Sequence, residues 1–309
     1  VERLKNVYPK LKKNFEFHVE TYQMGDKLFY ADSLGMGMDN IPRHPRGWKP
    51  KSGSGLTEAE LWAKIGALKL PFEEQLDRFV AEYPDSKTGV WNKQARFIDF
   101  SAQMAMCAVQ LKEIAKLTGN VSDISEYDSF HKSVKNAINE KCWNDKDGFY
   151  YDLAFDEQIP RRHIGAYWTL LGGVVPDDRK ERFLEKLTDE KEFFRMMPLP
   201  ALSAADPEYK GWGDYWLGGV WAPTTYMVLK GLTSIGRNEL AQKLARITYF
   251  NVAKVFEGTE TFWENYAPDL VSYGMPARKD FCGWTALIPI AVYREYVNSG
   301  QWSVGSGQK

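Results

Sequence analysis

The stretch GMDNIPR, residues 37–43, places a single carboxylic acid on a turn. Asp39 is followed by Asn40, whose side chain can hydrogen-bond its own backbone, and Pro42 fixes the backbone angle φ two residues further on. These residue types predict a stiff loop rather than the middle of a helix. We therefore expect Asp39 to be held in a defined position.

A second carboxylate occupies a similar setting far along the chain. Glu264 lies in FWENYAP, residues 262–268, between aromatic residues and a proline. Two carboxylates on rigid, aromatic-lined loops suit the acid-catalysed cleavage of glycosidic bonds, in which one protonates the leaving oxygen and the other activates water. The sequence therefore predicts a catalytic pair, Asp39 and Glu264.

The composition is ordinary for a globular chain except for its aromatic content. The 309 residues are 44% hydrophobic and 26% charged, with a formal net charge of −1. This charge gives no reason to expect nucleic acid or an anionic membrane as a partner, and no apolar run approaches the roughly 20 residues of a membrane span. Many of the aromatic residues lie in Gly/Pro-bearing loops, where flat rings suit the apolar faces of sugars.

The sequence contains no set of residues typical of nucleotide binding, metal binding or nucleophilic catalysis. The glycines at 35 and 37 do not form a nucleotide fingerprint, because no strand is predicted before them and Asn40 takes the third place. Asp145 and Asp147 resemble the start of a calcium loop, but the distal glutamate is absent. We predict no metal site, no cofactor and no nucleophile elbow.

The three cysteines are odd in number and lack the spacing of metal ligands. Cys107 and Cys282 have apolar neighbours, which predicts buried free thiols, with a single disulfide as the alternative. No signal-peptide pattern is visible. The compartment therefore stays open, between cytoplasm and periplasm if the protein is bacterial.

Hydrophobic periodicity predicts about nine helices and no βαβ unit. Helices joined by alternately short and long loops indicate a toroid of helical hairpins, whose long aromatic-rich loops gather at one end and form the site. The predicted helices are 2–21, 57–83 with a break at Pro71, 97–117, 123–141, 161–173, 178–188, 223–236, 237–256 and 281–297.

The segment 44–84 combines a Gly/Pro/Ser-rich stretch with helices that open on a capping box of Thr57 and Glu60. Two interpretations are open: a lid close to Asp39, or a peripheral helical insertion without a role in chemistry. We otherwise predict one catalytic domain covering residues 1–309.

Several motifs together resemble glycoside hydrolase family 63, which includes processing α-glucosidase I, bacterial α-glucosidases and the mannosylglycerate and glucosylglycerate hydrolases. The matching pieces come in the family's order and cover most of the chain from Leu34 to Val297. They are GMDNIPR (37–43), IDFSAQMA (98–105), KCWNDKDGFYYD (141–152), YWLGGVWAPTTYMVLKGL (215–232), ENYAP (264–268) and FCGWTALIP (281–289).

The resemblance implies an all-α fold, the (α/α)6 toroid, and hydrolysis of a small α-glucoside or α-mannoside with inversion at the anomeric carbon. By motif, Asp39 is implied to be the general acid and Glu264 the general base. An inverting pair keeps its carboxyl groups roughly 6.5–9.5 Å apart to leave room for the water. To be protonated near neutral pH, Asp39 needs a partly apolar pocket or a nearby negative charge.

The resemblance also implies a set of substrate-binding residues on site-facing motifs. The set is Asp99, Gln103, Trp216, Trp221, Tyr266, Trp284 and Arg43. From the residues alone, Asp99 and Gln103 serve either sugar hydroxyls or the capping of a buried helix. For Arg43, a charge-assisted hydrogen bond that holds the Asp39 loop suits the side chain better than a substrate contact.

Three features depart from the family pattern. Leu217 and Gly219 stand where relatives usually carry an arginine and a proline, which removes a polar contact from the site. Asp269 and Leu270 follow the Glu264 motif where a small residue is more usual. The helices fall short of a full toroid, so we expect its first helices, on the N-terminal side, to be absent from this chain.

Two other classes of function stay open. Leu217 and the short helix count are compatible with a carbohydrate-binding remnant, or with a fragment of a longer family member. A sugar epimerase or lyase on a similar toroid would use histidines or tyrosines as acid–base groups. Of the four histidines, only His44 lies near a candidate site loop.

Overall fold

The computed structural model describes residues 2–31, 36–43, 54–82, 95–154 and 156–298. Helices dominate these residues, and the strands among them are only two residues long, which confirms the all-α class. The chain divides into two compact units: Val1–Cys142 with Tyr151–Pro160, and Trp143–Tyr150 with Arg161–Lys309. A single domain over 1–309 stays a prediction.

The helices follow the predicted order along the chain. The α-helices of the described residues are α1 (Glu2–Tyr22), α2 (Glu58–Gly66), α3 (Phe72–Glu82), α4 (Ile98–Thr118), α5 (Val121–Ala137), α6 (Trp168–Leu171), α7 (Asp177–Thr188), α8 (Ala222–Ser234) and α9 (Asn238–Thr259). Shorter 3₁₀ turns and π-helical segments are Ile138–Cys142, Ile164–Tyr167, Tyr215–Leu217, Trp284–Leu287 and Ile288–Val297.

Short antiparallel strands join some of the helices. They are β1 (Ala95–Arg96), β2 (Trp143–Asn144), β3 (Phe149–Tyr150), β4 (Leu153–Ala154) and β5 (Glu157–Gln158). In the first unit β1, β4 and β5 form one sheet in that order, and in the second unit β2 pairs with β3. The residues ahead of Gly148 favour a tight turn between two short extended segments, and the β2–β3 hairpin has this form.

Helix α4 is the centre of the first unit and forms as its sequence predicts. Its buried residues lie nearly all round the helix, and it packs against both α1 and α5. Gly119 ends the helix with a φ of 83°, a left-handed conformation that glycine adopts without a steric penalty. The first turn of α4 is therefore fixed inside the core.

Helices α2 and α3 form a hairpin with a small core of its own. Thr57 and Glu60 make the predicted capping box, and Trp62 stacks on Phe79 with ring centroids 4.2 Å apart. Residues 44–53 and 83–84 of the predicted lid segment lie outside the described residues. The choice between a lid and a peripheral insertion therefore stays open.

The second unit is built around α8, α9 and the π-helical segment Ile288–Val297, which contact one another. Two of its helices are shorter than predicted. The helix predicted over 161–173 ends before Gly172 and Gly173, the latter with a φ of 63°. The helix predicted over 281–297 begins only at Trp284, because the residues ahead of it are irregular. The long loop between α7 and α8 is ordered, with residues 197–203 all buried.

The cysteines are free thiols, and one prediction about them was wrong. Cys107 is half-buried and Cys142 is buried, but Cys282 is exposed because it lies in the irregular stretch just before Gly283. Among the helices of the described ranges, none combines the length and the apolarity needed to cross a membrane.

A hydrogen bond between α1 and α5 supplies a test of the first unit's packing. The Tyr8 hydroxyl donates to Asp123 Oδ2 at 2.6 Å, and the bonds from Tyr8 and then Lys12 lower the pKa of Asp123. Because that pKa is lowered, the stabilisation is present above the unfolded pKa of about 3.9 and is lost as the pH falls. Tyr8→Phe should therefore cost about 1 kcal/mol at pH 7.

Urea denaturation at pH 7 and near pH 3 measures this cost. The difference between Tyr8→Phe and the original chain should shrink at the lower pH. The matched control is Tyr249→Phe, since no hydrogen bond of the Tyr249 hydroxyl is found among the described residues. An equal cost for both variants at pH 7 would contradict the assignment.

Candidate active site

The Asp39 loop, residues 36–43, belongs to the first unit and consists of two consecutive turns. Gly37 has a φ of 70°, and the Ile41 N–H donates to the Met38 carbonyl at 3.1 Å. Met38 and Ile41 are buried, whereas Asp39 is half-buried. Buried apolar side chains thus hold the loop on both sides of Asp39 in the sequence.

Arg43 fixes the end of this loop. Its guanidinium donates to Asp152 Oδ2 at 2.8 Å and to Asp99 Oδ1 at 3.2 Å, with a further short bond to Asp99 Oδ2. The Phe97 ring covers it, with the guanidinium carbon 4.3 Å from the ring centroid. We call Arg43, Asp99 and Asp152 the Arg43 cluster; all three side chains are at most 2% exposed.

The two carboxylates of the cluster also cap helix α4. Asp152 Oδ1 accepts the Ile98 N–H at 2.8 Å, and Asp99 Oδ1 accepts the Phe100 N–H at 2.9 Å. Negative charge is favourable at a helix N-terminus. The Arg43 cluster therefore ties the Asp39 loop, the start of α4 and the residue preceding β4 to one point.

Charge balance in the cluster keeps Arg43 ionised. Burial opposes the charge on its guanidinium, but Asp152 and Asp99 outweigh that effect and raise the pKa of Arg43. A buried cation with two carboxylates is held rigidly, because each lost contact would leave a charge unpaired. The expectation that Arg43 holds the loop through charge-assisted hydrogen bonds agrees with these contacts.

Asp99 and Gln103 lie on the same face of α4 but in different surroundings. Asp99 is committed to Arg43, whereas Gln103 lines a groove of about 260 Å³ between α1 and α4 together with Phe15 and His18. The sequence left two roles open for Asp99, binding of sugar hydroxyls and capping of the helix. The contacts of Asp99 are those of a helix cap. Substrate contacts by Asp99, Gln103 and Arg43 stay predictions.

Replacing Arg43 tests this anchoring. Arg43→Met leaves Asp99 and Asp152 buried side by side without a cation, which should destabilise the chain by roughly 3–5 kcal/mol at pH 7. Two unpaired carboxylates take up a proton more readily on folding, so the deficit should shrink between pH 7 and pH 5.

Urea denaturation at both pH values measures the deficit. Arg96→Met is the matched control, because the Arg96–Asp26 pair at 3.2 Å belongs to the same unit and is partly exposed. Its loss should cost about 1 kcal/mol or less. Equal costs for the two variants, or a deficit that grows on acidification, would refute the role given to the cluster.

In the second unit, the Glu264 segment, residues 264–267, is bonded along both sides. The Glu264 N–H donates to the Arg278 carbonyl at 2.9 Å. Tyr266 exchanges two backbone bonds with Val220, at 2.9 and 3.1 Å. The segment therefore lies between the chain at 272–278 and the end of the long loop that precedes α8.

The Glu264 side chain is largely buried, at 7% exposure. Within the described ranges, no side chain or backbone group forms a hydrogen bond or an ion pair with its carboxylate. Its backbone carbonyl accepts the Trp284 indole N–H at 3.4 Å. A nearly buried carboxylate without a protein partner is costly unless water or a ligand satisfies it.

Tryptophans form a wall in the same unit. Trp216 and Trp221 stack almost parallel, with ring centroids 4.1 Å apart and an interplanar angle of 3°. Trp284 lies 6.2 Å from Trp221 and is 43% exposed. We call these three residues the tryptophan wall. Trp284 is partly exposed with Phe281 packed 4.8 Å away, whereas Trp221 is buried between its neighbours.

Tyr266 packs into the core rather than against solvent. It is 2% exposed within a cluster of buried apolar residues, and its hydroxyl accepts the Trp263 N–H at 3.3 Å. Burial raises the pKa of Tyr266 to about 12, so the phenol is neutral at ordinary pH. A substrate contact by Tyr266 stays a prediction, and packing is the role that its contacts describe.

Sequence reasoning missed two polar residues, one that contacts the Asp39 loop through Arg43 and one within the Glu264 segment. Asp152 closes the quoted motif KCWNDKDGFYYD, and its only signal was a charge at the end of an aromatic run. Asn265 follows Glu264 directly and is fully buried; nothing in the sequence distinguished it from a surface loop residue. Both act through long-range contacts that no local pattern encodes.

Helices with carboxylates and tryptophans on their long loops are the features of an all-α glycoside hydrolase. Residues 1–284 match the family model described as the mannosylglycerate hydrolase MGH1-like glycoside hydrolase domain. Because the match covers most of the 309 residues, the chain belongs to that family. The resemblance to glycoside hydrolase family 63 is thereby confirmed.

Characterised relatives are similar over part of their length. The chain is 28% identical over 210 residues to a probable mannosyl-oligosaccharide glucosidase of Schizosaccharomyces pombe, which covers 62% of this chain and 26% of the relative. It is 25% identical over 205 residues to a mannosylglycerate hydrolase of Rubrobacter radiotolerans, a match that covers 63% of this chain and 43% of that relative. The matched region is thus less than half of either relative.

A solved structure shares the fold. The crystal structure of the GH63 mannosylglycerate hydrolase from Thermus thermophilus in complex with glucose superposes with a TM-score of 0.68. The match covers 95% of this chain and 69% of that chain at 20% identity. At such identity the likeness shows the fold alone, and the toroid, with its first helices absent, stays a prediction.

Proposed function

We propose that this chain is an inverting glycoside hydrolase that cleaves a small α-glucoside or α-mannoside. Asp39 acts as the general acid and Glu264 as the general base. The observation that carries the proposal is the Glu264 carboxylate, which is 7% exposed and has no protein partner within the described residues. A general base needs such an oxygen, free to accept a proton from water.

The surroundings of Asp39 support the role of acid. The half-buried residue lies on a loop that also contains buried Met38 and Ile41, and the Arg43 cluster fixes the end of that loop. A fixed loop keeps the proton of the acid at a constant position for the leaving oxygen.

The proposed step balances as a single displacement. Glu264 takes a proton from water while the water oxygen bonds to the anomeric carbon from the face opposite the leaving group. The bond from that carbon to the glycosidic oxygen breaks, its electron pair stays on the oxygen, and Asp39 supplies the proton. Asp39 ends as a carboxylate and Glu264 as an acid, and the configuration is inverted.

The choice of sugar rests on the family and on the tryptophan wall. The relatives named above are a mannosylglycerate hydrolase and a probable mannosyl-oligosaccharide glucosidase, so an α-mannoside or α-glucoside is the proposed substrate. The exposed part of the Trp284 ring suits stacking on a pyranose. Mannosylglycerate is a small conjugate of a single sugar, so a short substrate is proposed.

A panel of mannosylglycerate, glucosylglycerate and α-linked glucobioses tests the proposal. Asp39→Asn and Glu264→Gln should each lower kcat by about 100- to 10,000-fold, the usual contribution of general acid–base groups. Proton NMR in the first minutes of reaction should show the β-anomer as the initial product.

The matched controls are Asp178→Asn and Glu239→Gln, which change exposed carboxylates at the starts of α7 and α9. Both should keep the kcat of the original chain. Full activity in either Asp39→Asn or Glu264→Gln removes the assignment of that residue, and an initial α-product removes the inverting mechanism.

A carbohydrate-binding protein without catalysis is the second candidate, favoured by Leu217. This position usually holds an arginine in the family, and the half-buried leucine offers no polar contact. Isothermal titration that detects glucose binding, together with no turnover of any panel substrate, would establish this alternative.

The epimerase or lyase interpretation gains no support. The chain belongs to a glycoside hydrolase family, and His44 lies outside the described residues. Of the other histidines, His18 bonds to the Asn14 carbonyl of its own helix at 2.8 Å, and His163 is buried.

A further inference from the structure

Asn265 occupies a position that packing alone does not explain. It is fully buried directly after Glu264. Its Nδ2 donates to the Pro276 carbonyl at 3.0 Å, and its backbone carbonyl accepts the Gly274 N–H at 3.0 Å. No described N–H or O–H group donates to its Oδ1. An unsatisfied buried carbonyl is unfavourable, so its presence calls for a compensating role.

Backbone from three places closes around this side chain. A Cβ built on Gly274 would lie 1.8 Å from Asn265 Oδ1, one on Gly219 would lie 3.1 Å from it, and one on Gly213 would lie 3.6 Å from it. The absence of side chains at these glycines is what makes room for the amide. The Asn265 side chain is therefore in direct contact with segments that are far apart in sequence.

One of these segments is conformationally strained. Gly213, Asp214 and Tyr215 have successive φ values of 112°, 43° and 62°, and positive φ is uncommon for residues other than glycine. The strained stretch leads directly into Trp216 of the tryptophan wall. Strain of this kind persists only where surrounding contacts hold the backbone in place.

The contacts of Asn265 thus reach both parts of the candidate site in this unit. Through its own backbone it adjoins Glu264, and through Gly213 and Gly219 it contacts the loop that carries Trp216. We infer that Asn265 is a positioning residue, which sets the Glu264 carboxylate relative to the tryptophan wall. The inference rests on the proposed function, because it concerns the base of that reaction.

An aliphatic side chain does not reproduce this role. Alanine removes both the contact with the glycines and the bond to the Pro276 carbonyl. Leucine keeps the branching at Cγ but has no donor for that carbonyl, so the loop at 274–276 loses its link to the residue next to Glu264. A displacement of about 1 Å at a reacting group lowers the rate by up to about 100-fold.

The experiment compares Asn265→Ala and Asn265→Leu with the original chain. Each is assayed on whichever compound of mannosylglycerate, glucosylglycerate and the α-glucobioses the original chain turns over fastest. We expect kcat to fall by about 10- to 100-fold, while KM stays within about threefold. Glucose titrated calorimetrically should bind with unchanged stoichiometry, which separates misplaced groups from a loss of folded protein.

The matched control is Asn251→Ala. Asn251 likewise donates from Nδ2 to a backbone carbonyl, that of Met196 at 2.9 Å, but on α9 and away from Glu264 in sequence and contacts. Its kcat should equal that of the original chain. All assays are run below the melting midpoint of each variant, and the leucine variant replaces the alanine variant if the latter does not melt cooperatively.

The outcomes separate this inference from the proposed function. If Glu264→Gln is inactive but the folded Asn265 variants keep full kcat, the positioning role is wrong and the base assignment stands. If kcat falls only in proportion to the glucose-binding stoichiometry, Asn265 is merely structural. If Glu264→Gln keeps full activity, the proposed function itself fails, whatever the Asn265 variants do.

Discussion

The pairing of Arg43 with Asp99 and Asp152 is the constraint on which the first unit depends. A guanidinium removed from water is tolerated only when carboxylates surround it, and these carboxylates also satisfy the orphan N–H groups of α4. One ion cluster therefore fixes a loop, a helix start and the entry to β4. The position of Asp39 follows from it, four residues before the arginine.

Local patterns predicted the elements well wherever their cause is local. The capping box at Thr57 formed as predicted, and the left-handed Gly119 that ends α4 and the hairpin around Gly148 likewise depend on neighbours within a few residues. The predicted burial of Cys282 was wrong because the apolar neighbours in sequence did not form a helix there. Hydrophobic periodicity predicts which side chains are buried only where the chain is helical.

The candidate site could be predicted only as far as its loops. Asp39 and Glu264 were predicted as the acid and the base from the residue types around them and remain predictions, whereas the contacts that hold their loops come from distant positions. Asp152 meets Arg43 across 109 residues, and no spacing rule specifies such a contact. The aromatic residues show the same limit, because the sequence does not distinguish Tyr266, which packs in the core, from the exposed Trp284.

The exchange of proline for glycine at position 219 follows from the same backbone contacts. Gly219 donates its N–H towards the Gly213 and Tyr215 carbonyls, at 3.0 and 2.9 Å, and proline has no N–H to donate. A Cβ at this position would lie 2.3 Å from the Tyr215 oxygen, so the present backbone accommodates only glycine. This chain thus holds the loop by hydrogen bonds where a pyrrolidine ring usually stiffens it. These hydrogen bonds put no polar side chain at Leu217, so the loss of a polar substrate contact at that position stays a prediction.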